Sequence, residues 1–289
     1  MGFLQLDNGI LRVAINPLGA ELSSLRHRGG GELLWQGGEP WHRRAPILFP
    51  LVGRMPGDEL VHNGIAHPIG QHGFARDLPF EVGQHSDTSA EFTLVDTDET
   101  RNQFPFAFRL AVRFTVDGET LSIRHTVENR GRDTFSASVG GHPAFAWPLA
   151  EGVAPESHTL EFAEDEPAPI RRIADGLLLP DAVDTPVRGS TLALDESLFA
   201  ADAIIFDALR SRSVRYAAPG APSLTVRFDD FPLLGLWSKA PGAFLCIEPW
   251  YGMTAPRDFA GEYADKPGQF VLGPGESRSF TYSVTVQNS

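Results

Sequence analysis

Turn signals recur from one end of this chain to the other, and the segments between them are short. Asn8-Gly9, Asn63-Gly64, Asp117-Gly118, Pro219-Gly220, Pro241-Gly242 and Pro274-Gly275 are dipeptides that bend a backbone sharply. Between such points the sequence alternates apolar and polar residues with a period of two, the mark of strands with one buried face. The clearest case runs from about 108 to 128. Leu110, Val112, Phe114 and Val116 share one side, and Arg113 and Thr115 take the other. Asp117-Gly118 turns the chain, and Leu121, Ile123 and Val127 continue the apolar face. His125 falls on that face and reads as a core histidine. Further strands are expected at 3–7, 11–16, 32–36, 90–95, 134–139, 158–163, 203–207, 224–228, 233–237, 243–248 and 279–286. Helical periodicity is nearly absent, with a single turn near Asp98 to Gln103 as the best candidate. The 29 Gly and 23 Pro are spread evenly and are not pooled into a linker. No segment is of low complexity or exactly repeated. The expectation is an all-β sandwich or barrel with few short helices, forming one domain over residues 1–289.

Charge narrows the partners. With 24 basic and 37 acidic residues the formal charge is −13, which argues against nucleic acid or an anionic membrane surface. The first 80 residues hold seven Arg and seven Asp or Glu and sum to zero, so they are the less repulsive place for any anionic ligand. Cys246 is the only cysteine, so no intrachain disulfide is possible, which fits a reducing compartment. No stretch approaches the roughly 18 apolar residues of a membrane span. The N-terminus lacks a basic region followed by an apolar run, so no secretory signal is expected. A cytoplasmic location is the expectation.

Three polar residues stand in otherwise apolar or glycine-framed segments. Glu248 lies in Phe244-Leu245-Cys246-Ile247-Glu248-Pro249-Trp250, a run apolar on both faces and so expected to be a central strand. A buried carboxylate there has its pKa raised toward neutrality, which suits a general base. The plainer reading is a glutamate paired with an arginine. Pro249 cannot donate a ladder hydrogen bond, so the strand is expected to end there, leaving Glu248 near a rim. His142 follows Gly140-Gly141 and precedes Pro143, a frame that fixes the direction of a side chain, as a catalytic acid requires. An incidental turn histidine is the alternative. His72 is framed by Gly70 and Gly73, with Arg76 downstream. Two imidazoles and a carboxylate can move protons in both directions near neutral pH. Metal ligation has weaker support. There is no His-x-His pair, and His62 and His67 are spaced poorly for a metal. No nucleophile elbow, phosphate loop or dinucleotide fingerprint occurs.

Several segments together carry a family resemblance. Gly53-Arg54 with Asn63-Gly64, His72-Gly73-Phe74-Ala75-Arg76, Thr100-Arg101 with Phe104-Pro105-Phe106, Gly141-His142-Pro143, Asp230-Phe231-Pro232 before Leu236-Trp237, and Cys246-Ile247-Glu248-Pro249-Trp250 resemble, in order and spacing, the aldose 1-epimerase (galactose mutarotase-like) superfamily. The resemblance runs from about residue 5 to residue 286. It points to the subgroup of small bacterial LacX-like epimerases, near the hexose-6-phosphate mutarotases. It implies a large antiparallel β-supersandwich and the interconversion of α and β anomers of a free hexose or hexose phosphate, with no cofactor and no metal. Carried over by position, it implies Glu248 as the base at the anomeric hydroxyl, His142 as the acid at the ring oxygen, and His72 as a group holding the ring-oxygen side. It also implies Arg54 as a sugar contact, and Asp202 as a binder of sugar hydroxyls with Asp207 as competitor. Arg76 either contacts the sugar, grips a phosphate or serves as scaffold; scaffold or sugar contact is favoured. Trp237, with Trp147, Trp250 and Phe74, is a candidate to stack on a sugar face. The partner is thus a small sugar, and the chain is expected as a monomer or homodimer. Two rival readings are a non-catalytic carbohydrate-binding or sensing module and a metal-dependent cupin-like isomerase.

Overall fold

A computed structural model describes residues 2–239 and 243–288. The Pro241-Gly242 turn signal lies outside the described residues. The largest element is a nine-stranded antiparallel sheet. Its strands in spatial order are Thr191–Ala193, Thr159–Phe162, Ser213–Ala217, Ser223–Arg227, Ser277–Gln287, Thr120–Asn129, Phe108–Asp117, Ser89–Val95 and Glu81–His85. The expected hairpin sits in it, with Val116 opposite Leu121, Phe114 opposite Ile123 and Val112 opposite His125. All six of these side chains are buried, because alternate residues of one strand share a face.

A second sheet is ordered Ile204–Phe206, Leu233–Trp237, Phe244–Tyr251, Val139–Gly141 and Ile47–Leu48, and Ala144–Ala146 also pairs with Phe244–Tyr251. Leu234, Leu245 and Ile247 of this sheet join Phe114, Leu121 and Val284 of the first in one continuous core. Each such burial contributes about 1.5–3 kcal/mol. The rings of Tyr251 and Phe280 meet between the sheets at 5.2 Å. The strands Leu4–Asp7, Leu11–Asn16 and Glu21–His27 form a third, smaller sheet. Among the described residues the α-helix is Asp98–Gln103 alone, opened by a capping box in which Thr97 and Thr100 exchange side chain and backbone bonds. Among the described residues no helix is long and apolar enough to cross a membrane.

Three strand expectations differ from the structure, the first being 134–139, which divides into Phe135–Ala137, paired with Phe270–Leu272, and Val139–Gly141 of the second sheet. Residues 32–36 make only isolated bridges, Arg26 to Glu32 and Leu34 to Phe145. The Glu32 carboxylate accepts from the Leu25 and Leu34 amides at 2.8 and 3.1 Å, so a side chain does the work of a ladder. The strand expected to stop at Pro249 continues to Tyr251. Backbone N–H groups two residues apart point the same way, and that of Ile247 reaches Pro143 O at 3.2 Å. The missing N–H of Pro249 lies on that same side, next to the Gly140–Trp250 pair, and the strand carries on with one ladder donor fewer.

Candidate active site

That break builds the site. Val139–Gly141 pairs with Tyr251 and Trp250, and Ala144–Ala146 pairs with Cys246, Leu245 and Phe244. The chain between them, His142-Pro143, leaves the sheet beside the middle of the Phe244–Tyr251 strand. Glu248 stands there, with Phe244, Cys246 and Trp250 on the same face and Leu245 and Ile247 turned into the main core. Nε2 of His142 lies 3.2 Å from Oε2 of Glu248. Gly140-Gly141 fits this place by size and does not adopt a left-handed backbone, since neither has positive φ. A Cβ on Gly141 would lie 2.8 Å from the Tyr282 hydroxyl. Gly235, opposite Glu248 in the register, has a similar role: a Cβ there would lie 2.4 Å from the Trp250 ring.

The His142–Glu248 pair forms part of the wall of a cavity of about 280 Å³ whose lining includes Trp41, Gln71, His72, Arg76, Asp202, Trp237 and Trp250. That volume suits one small molecule. His142 is caged by rings. Trp41 stacks on it at 4.9 Å and 27°, while Trp237 and His72 stand edge-on at 5.8 and 5.7 Å.

Electrostatics favour an uncharged pair. Burial first, then the nearby Arg76, pushes the His142 imidazole down to about 3. Burial raises the Glu248 carboxyl well above its ordinary range; the Trp250 indole N–H opposes this and the Asp202 charge adds to it. The close contact between the two groups nevertheless invites an ion pair. One proton shared between Nε2 and the carboxylate satisfies both observations: with the proton on Glu248 the pair is neutral, and with it on His142 the pair is zwitterionic. In either form the net charge is zero. Neither Oε2 of Glu248 nor Nδ1 of His142 has an aligned hydrogen-bond partner among the described residues.

His72 is held differently. Its backbone is left-handed, with φ +66°, and its N–H donates to Gly53 O at 2.6 Å. The Gly53 amide donates to its Nδ1 at 3.1 Å. Nδ1 is thus an acceptor, and the ring proton belongs on Nε2. Burial, His142, Arg76 and Arg43 all keep this imidazole neutral. Arg76 Nη2 donates to Gln71 O at 2.6 Å, and its Nε lies 3.7 Å from Asp77. Burial and then Arg43 lower its pKa to about 10.

Asp202 lies at the cavity with a left-handed φ of +63°, and its Oδ1 accepts from the Ala203 amide at 2.8 Å. Asp207 is not among the lining residues and faces Arg171 at 3.6 Å. Arg54 is not brought in either: its Nε and Nη2 both donate to the Asp58 carboxylate at 2.6 Å. Of the candidate stacking rings, Trp237 and Trp250 line the cavity. Trp147 is buried with its N–H on Pro155 O, and Phe74 packs in the core against Phe49 and Phe108. His125 is buried, with neither ring nitrogen in an aligned hydrogen bond, and burial lowers its pKa to about 4. Reasoning from sequence missed Trp41, Gln71, Gly235 and Thr254. For Trp41 a usable signal was an indole in a loop between Gly37-Gly38 and Arg43-Arg44, since loops carry binding groups. Among groups able to hold a metal, a ring nitrogen of His142, Sγ of Cys246 and a Glu248 carboxylate oxygen lie within 4.8 Å of one another.

The sequence and the fold match known proteins. Residues 3–285 match the aldose 1-epimerase family, and the chain belongs to it. The chain is therefore an isomerase of the aldose epimerase, or mutarotase, type on the galactose mutarotase-like all-β fold. Protein LacX of Lactococcus lactis subsp. lactis is 34% identical, with 99% of each chain covered. A galactose mutarotase related enzyme from Lactobacillus acidophilus superposes with TM-score 0.91 at 32% identity, covering 99% of this chain and 97% of that one. A galactose mutarotase-like protein from Lactobacillus casei gives TM-score 0.92 at 29% identity, covering 99% and 100%.

Proposed function

We propose that the chain interconverts the α and β anomers of a free hexose or hexose phosphate by acid and base catalysis at the Glu248–His142 pair. The observation that carries the proposal is the 3.2 Å separation of these two buried groups at the cavity wall. Ring opening needs a base at O1 and an acid at O5, two oxygens bonded to the same carbon, so acid and base must be close neighbours. In the reactive form the shared proton is on His142. Glu248 takes the O1–H proton as Nε2–H gives its proton to O5, and the C1–O5 bond breaks. Glu248 is then a neutral acid, His142 a neutral imidazole, and the sugar an open aldehyde. Rotation about C1–C2 presents the other face of the carbonyl. Reclosure reverses both transfers, with the C5 hydroxyl giving its proton to His142 and Glu248 returning one to O1. The pair carries no net charge at any stage, so a dry cavity is tolerable. Each group contributes roughly 100- to 10,000-fold.

The remaining residues would position the sugar. Neutral His72 offers an Nε2–H donor on the His142 side, Asp202 accepts from hydroxyls at the mouth, and Trp237 presents a ring to a sugar face. Arg76 is anchored by Gln71 O and Asp77, which leaves it placed to contact a hydroxyl. The test follows anomer exchange of glucose, galactose and their 6-phosphates by NMR or polarimetry, for the wild type and Glu248→Gln. Acceleration of at least one sugar, lost in the variant, supports the proposal. Tight sugar binding with no acceleration would reassign the chain as a binding module.

A further inference from the structure

We propose that the floor of the same cavity is a site for a thiophilic divalent cation of the zinc class, held by His142, Cys246 and Glu248. Strand alternation puts Cys246 and Glu248 two residues apart on one face, and the break in the neighbouring strands delivers His142 to them. The three ligand atoms lie within 4.8 Å of one another. Tetrahedral zinc with nitrogen, sulfur and oxygen ligands needs ligand separations of roughly 3.3–3.7 Å. The His142–Glu248 edge, at 3.2 Å, is already that short, so a modest shift of the thiol side chain completes the set. Oε2 of Glu248, on a residue only 1% exposed, has no aligned hydrogen-bond partner among the described residues, which is how an unfilled ligand position looks. The donor set selects the ion: one thiolate, one imidazole and one carboxylate suit zinc or cadmium, whereas magnesium and calcium take oxygen ligands. The His42–Glu39 pair at 3.3 Å is exposed and is not part of any such three-ligand group among the described residues. His142 and Glu248 line the cavity while Cys246 lies buried behind them, so a fourth ligand, water or a sugar hydroxyl, would come from the cavity side.

Binding displaces the thiol proton to solvent as the metal–sulfur bond forms. It also occupies both proton-transfer groups, so zinc blocks turnover. That last consequence rests on the catalytic reading; binding itself does not.

The experiment uses the full chain, stripped with a chelator and then freed of it. Zinc is titrated by calorimetry, and cadmium is added while the ultraviolet thiolate-to-metal absorption band is followed. One zinc per chain and a cadmium band are expected. Cys246→Ser should lose the band and weaken zinc binding about tenfold or more. Cys246→Ala serves as a second variant, and each variant's zinc inhibition is read against its own zinc-free rate. The proposal is overturned if cadmium gives no band, or if folded Cys246→Ser and Cys246→Ala bind zinc as tightly as wild type. A chain that binds zinc with the band yet accelerates no sugar keeps the metal site and loses the catalytic reading.

Discussion

Glu166 and Glu248 are equally hidden, at 2% and 1% exposure, yet their surroundings differ in kind. Glu166 accepts from two backbone amides, Ser211 at 2.6 Å and Arg210 at 3.1 Å. It closes a loop, and its charge is offset by the N–H groups it satisfies. Glu248 has no such donors on Oε2 and faces a cavity. The two histidines His158 and His142 repeat the contrast. His158 takes the Leu149 amide on Nε2 at 3.1 Å and meets the Ala154 and Pro155 carbonyls through Nδ1, both at 3.1 Å. Among the described residues His142 has no partner on Nδ1 and meets Glu248 through Nε2. A buried polar group whose bonds are complete is scaffold. One left incomplete beside a cavity is kept for a ligand, at a cost of about 1–3 kcal/mol that the rest of the fold must carry.

The comparison breaks if the two glutamates respond alike to the same substitution. Glu248→Gln should lower kcat for anomer exchange by roughly 100- to 10,000-fold while leaving thermal stability equal or higher, since it removes a buried group that resists charging. Glu166→Gln should do the reverse: kcat within about twofold of wild type, and a loss of roughly 1–3 kcal/mol from the weakened amide bonds. Parallel measurement of kcat and Tm on the two variants decides between these outcomes. The histidines sharpen the contrast at a smaller scale. His142→Asn should cost roughly 100-fold or more in kcat with little change in Tm. His158→Ala should leave kcat intact and cost about 1–3 kcal/mol, because the Leu149 amide and two carbonyls lose their partner. If His158→Ala abolishes turnover in a folded protein, position beside the cavity is not what separates the two classes.

The same contrast explains what the sequence disclosed. The 108–128 hairpin was legible because its signal is local: a period of two, and Asp117-Gly118 at the turn. Glu248 was legible because a carboxylate in an apolar run stands out wherever the strand lies. His142 was found for a reason the structure amends, since Gly140-Gly141 supplies room for Trp250 and Tyr282 and not an unusual φ. Thr254 was invisible, and Trp41 only faintly signalled by its loop, because tertiary packing brings both to the cavity. Arg54 shows the opposite limit. The family resemblance implied a sugar contact for it, but its guanidinium is bonded to Asp58, four residues on, and it does not line the cavity.

Lys266 tests the rule where no cavity is involved. It is 2% exposed, and its Nζ has no hydrogen-bond partner among the described residues. It does not line the cavity. Burial lowers its pKa from the ordinary 10.5 to about 7. Between those two values the unfolded chain holds a proton that the folded chain lacks, so stability rises with pH across that window, and below about 7 the full cost of the buried charge is present. Lys266→Met should therefore be more stable at neutral pH by roughly 1–3 kcal/mol, with the difference from wild type shrinking as pH climbs toward 10.5. Urea unfolding of both proteins across that range measures the difference directly. Should the two curves run parallel, Lys266 has a partner when folded and belongs with Glu166 and His158. Should they converge at high pH, an incomplete buried group can persist as a plain cost, and only the adjoining cavity turns such a group into a site.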